Sequence, residues 1–295
     1  MKVGIIGGGK VGSCLAGYFQ ETGQLVAITA ATAEHCAILA KQFSVPACDN
    51  NELVEQADII LLTVPDRKIA DLAQKLSTSS VAMSNKVFLH CSGSLGLEPL
   101  TCLKKCGAYV GSLHPLQSFA GGNVELKGVY MAVDGDDEAL TAAKNLAMVL
   151  GGHSFYVPAE ERTAYHAAAC ICSNYAVVVE AMAQGLMRRW TGSEEDAWQA
   201  LVPLFKGTAA NLLGTNNPGT VLTGPIARGD VETVAKHLEV LPDELIEVYC
   251  SLGLAATQLA LTNGTIDWET KQQLDKLLIQ SEVQNDRKEG NCSNY

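Results

Sequence analysis

The residues best suited to chemistry lie in short segments spread along the chain. The first is Gly7-x-Gly9-x-x-Gly12, directly after an apolar run and directly before a helical pattern. In that context each glycine has a use: Gly7 permits a tight turn, Gly9 lets a pyrophosphate approach the backbone, and Gly12 lets helix and strand pack closely. Gly8, Lys10 and Val11 complete the segment, whose free N–H groups can hold phosphate. Two strand ends should face the same crevice, because ligands of such sheets bind beyond the carboxyl ends of strands. Val64 and Pro65 would place apolar backbone beside a ribose, and Ser92 and Gly93 would offer hydroxyl and amide groups. A third strand end, His114-Pro115-Leu116-Gln117-Ser118, is polar where a sheet should end apolar. His114 is thus a candidate proton donor, with Gln117 and Ser118 as substrate contacts.

Further along, His166, Cys170 and Ser173 recur at i, i+4 and i+7, with Asn174 close by, so they line one stripe of a helix. A histidine and an asparagine on a buried stripe need partners or a ligand. Thr223 and Arg228 precede a helix start and could bind a carboxylate. The second strand ends Thr29-Ala30-Ala31-Thr32 with no carboxylate at its tip. A 2′-phosphate would meet no repulsion there and Thr32 could donate to it, so NADP is expected over NAD, although no arginine is present to clamp the phosphate.

These segments need a scaffold, and the hydrophobic pattern predicts one. Strands are expected at 2–6, 25–30, 58–64, 86–90, 108–113, 129–133 and 154–157. Helices are expected between them at 11–20, 33–42, 67–76, 97–105 and 137–150. That alternation predicts an α/β fold, a doubly wound parallel sheet covered by helices. After Pro158 long Ala- and Leu-rich helical stretches take over. The expected domains are 1–157 for the cofactor and 158–284, all-helical, for substrate and dimerisation, followed by a polar, frayed tail at 285–295. Ser193 before three acidic residues, and Pro242 before Asp243 and Glu244, mark helix starts.

Composition narrows the function classes. The 295 residues are 47% hydrophobic and 18% charged, which excludes general disorder. The balance of 21 basic against 32 acidic residues leaves a net charge of −11 with no basic run, which argues against nucleic acid. The 10 cysteines form no CxxC pair, so neither a disulfide nor a metal site is expected. The most membrane-like stretch, 167–187, carries Ser173, Asn174, Glu180 and Gln184 at helical intervals, so a cytoplasmic protein with no membrane segment is expected.

Taken together, the glycine fingerprint, Val-Pro-Asp at 64–66, His-Cys-Ser-Gly at 90–93, His-Pro-Leu-Gln-Ser at 114–118, Tyr-His-Ala-Ala-Ala at 165–169 and Leu-Thr-Gly-Pro-x-x-Arg-Gly-Asp at 222–230 resemble a bacterial family. That family joins a Rossmann-like NADP-binding domain to a C-terminal domain of unknown function. It is similar to pyrroline-5-carboxylate reductase, ketopantoate reductase and the β-hydroxyacid dehydrogenases. The resemblance implies a helical second domain like the C-terminal domain of 6-phosphogluconate dehydrogenase, often dimeric. In ketopantoate reductase and the β-hydroxyacid dehydrogenases a catalytic lysine stands four residues before an asparagine. Here Asn174 is preceded by Cys170 at that distance. The proton donor therefore has to be sought elsewhere, and His166 stands one turn earlier. The expectation is an NADPH-dependent reductase of a C=O or C=N bond, with a 2-keto acid such as ketopantoate implied by resemblance. His166 would be the acid, Asn174 would polarise the oxygen, and Thr223 and Arg228 would hold a carboxylate. Two alternatives stay open: a deazaflavin-dependent NADP reductase, and a non-catalytic NADP-binding sensor.

Overall fold

A computed structural model describes residues 1–121 and 124–292. Seven strands, β1 (Val3–Ile6), β2 (Leu25–Thr29), β3 (Ile59–Leu62), β4 (Val87–His90), β5 (Tyr109–Pro115), β6 (Tyr130–Gly135) and β7 (His153–Tyr156), build one sheet in the order β2-β1-β3-β4-β5-β6-β7. Each overlaps a strand expected from the sequence. Every residue of β1, β3 and β4 is buried, as required of strands covered on both faces.

The expectation of a parallel sheet needs one correction: β5 and β6 run antiparallel, pairing Gly111 with Gly135 through Pro115 with Met131. A parallel partner needs a crossover, normally a helix, and the described part of 116–129 contains none. Apolar runs mark a strand but carry no direction.

Around the sheet lie α1 (Lys10–Glu21), α2 (Ala33–Gln42), α3 (Asn50–Gln56), α4 (Asp66–Ser77), α5 (Thr101–Lys105) and α6 (Asp137–Val149). One face buries Leu15, Ala16 and Phe19 of α1 against Ile5 and Ile28. The other buries Leu53 of α3 and Ile69 of α4 among Ile60 and Leu62. Helix α3 was not expected, yet it opens on a capping box: the Asp49 carboxylate accepts from the backbone N–H groups of Asn51 and Glu52, and the Glu52 carboxylate accepts from the N–H of Asp49.

After β7, α7 (Arg162–Cys170) passes through a π turn at Ile171–Tyr175 into α8 (Ala176–Thr191). The chain divides into two compact units, Met1–Ala176 and Val177–Tyr295, so α7 packs with the sheet. The sequence boundary at 157/158 instead marks the change from strands to helices.

The second unit holds most of α8, then α9 (Glu194–Leu213), α10 (Val231–Val240), α11 (Asp243–Thr262) and α12 (Trp268–Cys292). Ser193 caps α9 by accepting from the N–H of Asp196 at 3.0 Å. The core gathers Val234, Ile246, Cys250, Leu274 and Leu278. A Cβ on Gly253 would lie 2.9 Å from Leu278, so glycine there lets α11 and α12 approach. Helix α12 runs through Cys292, so 285–292, expected as a frayed tail, continues this helix, and 293–295 lie outside the described residues. Two helical stretches, Ala159–Thr191 and Asp243–Thr262, are long and apolar enough to cross a membrane by length and composition. Core helices meet the same test, and α11 buries Ile246, Cys250 and Ala260.

Candidate active site

The glycine turn between β1 and α1 has the geometry its residues demand. Gly7 has a φ of +125°, and a Cβ there would stand 2.7 Å from the Thr63 carbonyl carbon. On Gly12 a Cβ would fall 1.9 Å from the Gly7 carbonyl oxygen, so only hydrogen fits where the helix crosses the turn. A Cβ on Gly9 would meet nothing within 4 Å. Bare backbone at the α1 N-terminus therefore faces open space, which suits close approach of a phosphate. The Thr63 hydroxyl ties the turn to the end of β3 by donating to the Gly7 carbonyl at 2.7 Å. A cavity of about 590 Å³ opens along the outer face of α1, lined by Gly8, Gly9, Lys10 and Ser13 and by the rings of Phe43 and Phe119. Thr32 caps α2, its hydroxyl accepting from the N–H of His35 at 3.3 Å, which leaves the hydroxyl proton free to donate.

A second constellation forms beyond the ends of β4 and β5. His90 is fully buried; its Nδ1 accepts from the N–H of Ser92 at 3.3 Å, so its Nε2 donates to the Gly96 carbonyl at 2.9 Å. Burial, aided by the nearby Arg162, pulls its pKa down to about 4. The Ser92 hydroxyl donates to the Asp66 carboxylate at 2.6 Å, fixing the turn to the start of α4 beside Val64 and Pro65. Gly93 is wedged between two imidazoles. A Cβ there would lie 2.6 Å from His166 Nδ1 and 2.9 Å from His114 Nε2.

His114 Nδ1 lies 2.7 Å from the Tyr165 hydroxyl, and its ring meets those of Tyr165 and His166 edge-on at centroid distances of 5.6 and 6.0 Å. Burial, followed by the charges of His166 and Arg162, lowers the His114 pKa to about 4. Burial also lifts the Tyr165 hydroxyl to about 12. At neutral pH, then, a neutral imidazole faces a neutral phenol. When the phenol donates to Nδ1, His114 presents an Nε2–H on the Gly93 side, suited to hydrogen-bonding a developing oxyanion. His166 Nδ1 is buried without a hydrogen-bond partner, a cost that functional sites commonly retain.

The structure thus gathers Ser92, Gly93, His114 and His166 at one place. Cys170 and Ser173 share the half-burial of His166, while Asn174 is exposed within the π turn. Gln117 and Ser118 are exposed and bond within their own loop, Gln117 to the Glu125 carbonyl at 3.4 Å and the Ser118 N–H to Gln117 at 2.8 Å. Thr223 and Arg228 are exposed in the second unit, Arg228 ending a short 3₁₀ turn before α10. Among the described residues no group of three His, Cys, Asp or Glu side chains could hold a metal ion. Sequence reasoning missed Arg162 and gave Tyr165 and Asp66 no role. The spacing of Arg162, Tyr165 and His166 at i, i+3 and i+4 was the available signal.

Residues 1–115 match the Rossmann-like domain, and residues 129–256 match a domain of unknown function, DUF2520. The chain pairs a Rossmann-like domain with a DUF2520 domain. The Rossmann-like match ends one residue past His114, and the DUF2520 match supplies Arg162, Tyr165 and His166, so the imidazole cluster joins the two. No relative was found among functionally curated proteins. Among solved structures, protein TM1727 from Thermotoga maritima is 26% identical, covers 89% of this chain and 99% of its own, and superposes with a TM-score of 0.70. The proposed NADP oxidoreductase BF3122 from Bacteroides fragilis is 21% identical over 87% of this chain and 98% of its own, with a TM-score of 0.72. A 1-pyrroline-5-carboxylate reductase from Streptococcus pyogenes shares the fold at 16% identity, covering 96% and 98%, with a TM-score of 0.56.

Proposed function

We propose that this Rossmann–DUF2520 protein reduces a C=O or C=N bond of a small carboxylate-bearing molecule with hydride from NADPH. The observation that carries the reading is the convergence of His114 Nε2 and His166 Nδ1 on Gly93, beyond the end of β4, in the sheet that also carries the open glycine turn. NADPH supplies the hydride and the protein supplies orientation and a proton. Gly7 to Gly12 would hold the pyrophosphate, and Thr32, with no acidic residue at the strand tip, supports NADP over NAD. His166 is the proton donor, and His114, held neutral, hydrogen-bonds the oxygen or nitrogen that gains charge. Asn174 would polarise that atom; in the second unit Thr223 and Arg228 are candidates to hold a carboxylate, and a 2-keto acid such as ketopantoate is the first substrate to try.

The same reading makes the protein a cytoplasmic homodimer. Val177 and Val178 of α8 are 69% and 47% exposed, an apolar face that a second copy would cover. The test follows NADPH absorbance across a panel of 2-keto acids and cyclic imines, with wild type beside His166→Ala. Turnover by wild type and its loss in the variant are expected. Unchanged kinetics in the variant would remove His166 from the mechanism, and NADPH binding without any turnover would favour a sensor.

A further inference from the structure

Among the described residues Arg162 is the largest fully buried side chain. Its guanidinium donates through Nη1 to the Ser92 carbonyl at 3.1 Å and through Nη2 to the Ser112 hydroxyl on β5, and its Nε has no partner. Both acceptors are neutral. Asp134, opposite Ser112 in the β5–β6 register, contributes a carboxylate whose charge acts on it without forming an ion pair. A buried cation held this way is expensive, and a structural role alone would be met more cheaply by an apolar side chain.

Its position explains why it is kept. Arg162 opens α7, and Tyr165 and His166 follow at i+3 and i+4, on the same helical face. The fork grips the tip of the β4 turn, one residue before Gly93, and β5 two residues before His114. One side chain therefore fixes three elements whose side chains make the imidazole cluster. The geometry points to Arg162 as a positioning residue, which docks α7 onto the β4 and β5 ends so that His166 and Tyr165 meet His114, and which keeps a positive charge beside that imidazole. This rests on the reductase reading for its catalytic meaning, but not for its structural content. The groups facing His114 are Arg162, Tyr165 and His166 of α7, His90 of β4 and Asp66 of α4. Of these, His166, Arg162 and His90 disfavour a second proton on the ring while Asp66 favours it.

The test titrates the His114 imidazole by NMR in full-length wild type, Arg162→Met and Arg162→Lys, and measures NADPH affinity and kcat alongside. Removing the guanidinium charge in Arg162→Met is expected to raise the His114 midpoint by at least about half a pH unit, and Arg162→Lys to leave it near wild type. Both variants should lower kcat more than NADPH affinity, because the fork reaches the cofactor crevice only through the Ser92 carbonyl while the phosphate-binding backbone lies at the glycine turn. An unmoved His114 midpoint in Arg162→Met, or NADPH affinity falling in step with kcat, would overturn the proposal. If Arg162→Met does not fold, Ser112→Ala removes one acceptor and should lower kcat in a folded protein; full kcat there would also overturn it. If wild type turns over no substrate, the reductase reading fails, and the His114 midpoint still decides the role of Arg162.

Discussion

Two histidine–tyrosine pairs with nearly the same local geometry stand in the two units of this protein. His114 Nδ1 lies 2.7 Å from the Tyr165 hydroxyl with the rings at 87°, and His237 Nδ1 lies 2.8 Å from the Tyr249 hydroxyl with the rings at 85°. Their surroundings differ. The first pair sits beside a buried guanidinium and a second imidazole whose Nδ1 lacks a partner. The second ties α10 to α11, with Tyr249, like Leu238 and Leu241, packed against the apolar cluster that includes Val234, Ile246 and Cys250. A hydrogen-bonded imidazole is thus a latch in one place and the centre of a polar cluster in the other. What separates them is the charge and the unsatisfied nitrogen nearby, not the bond itself.

The largest test of this contrast is catalytic. His114→Gln or His166→Ala should lower NADPH-dependent turnover by about 10²–10⁴-fold, the usual worth of a positioned proton donor, while His237→Gln should leave turnover unchanged. Equal losses at both pairs would break the comparison. The next is the response to acid. His90 and His114 both titrate near pH 4 when folded, against 6.5 in a free chain, so between those values the unfolded state binds more protons. Stability should therefore fall as pH drops from 6.5 toward 4, and His114→Gln should flatten that slope in denaturant melts. Smaller effects follow from single contacts. Tyr165→Phe and Tyr249→Phe each leave an imidazole nitrogen without its partner and should cost about 1–3 kcal/mol in stability, but Tyr165→Phe alone should also reduce turnover. Gly12→Ala forces a Cβ against the Gly7 carbonyl, which should cost about 1–3 kcal/mol by thermal melt and weaken NADPH binding in a fluorescence titration. Ser193→Ala, far along the chain from either pair, should cost about 1 kcal/mol through loss of the α9 cap.

What was legible in the sequence was what is local. The glycine turn is written in consecutive residues, because a φ of +125° and a 1.9 Å approach leave only glycine at Gly7 and Gly12. Apolar runs gave all seven strands, and Ser193 with its acidic followers announced α9. The direction of β6 was hidden, since direction is decided by the connection rather than by the strand. Helix α3 was missed because Asn-Asn-Glu-Leu-Val-Glu-Gln buries only Leu53 and Val54, although Asp49 and Glu52 spelled its capping box. The imidazole cluster was half visible: His114 and His166 stood out as polar residues in apolar settings, while Arg162 became meaningful only once the fold brought it to Ser92 and Ser112, 70 and 50 positions away.

The antiparallel joint between β5 and β6 governs how this chain can be taken apart. The sequence families break between 115 and 129, on either side of that joint, so a cut there looks natural to anyone shuffling modules. Such a cut would strip β5 of its partner along Gly111–Pro115 and leave a long row of unpaired amides and carbonyls, ready to capture a strand from another molecule. The inherited parts are two, but the sheet is one. A graft that exchanges the helical portion while keeping the seven-stranded sheet whole should cut near Ala176, leaving β6, β7 and α7 with the N-terminal fragment.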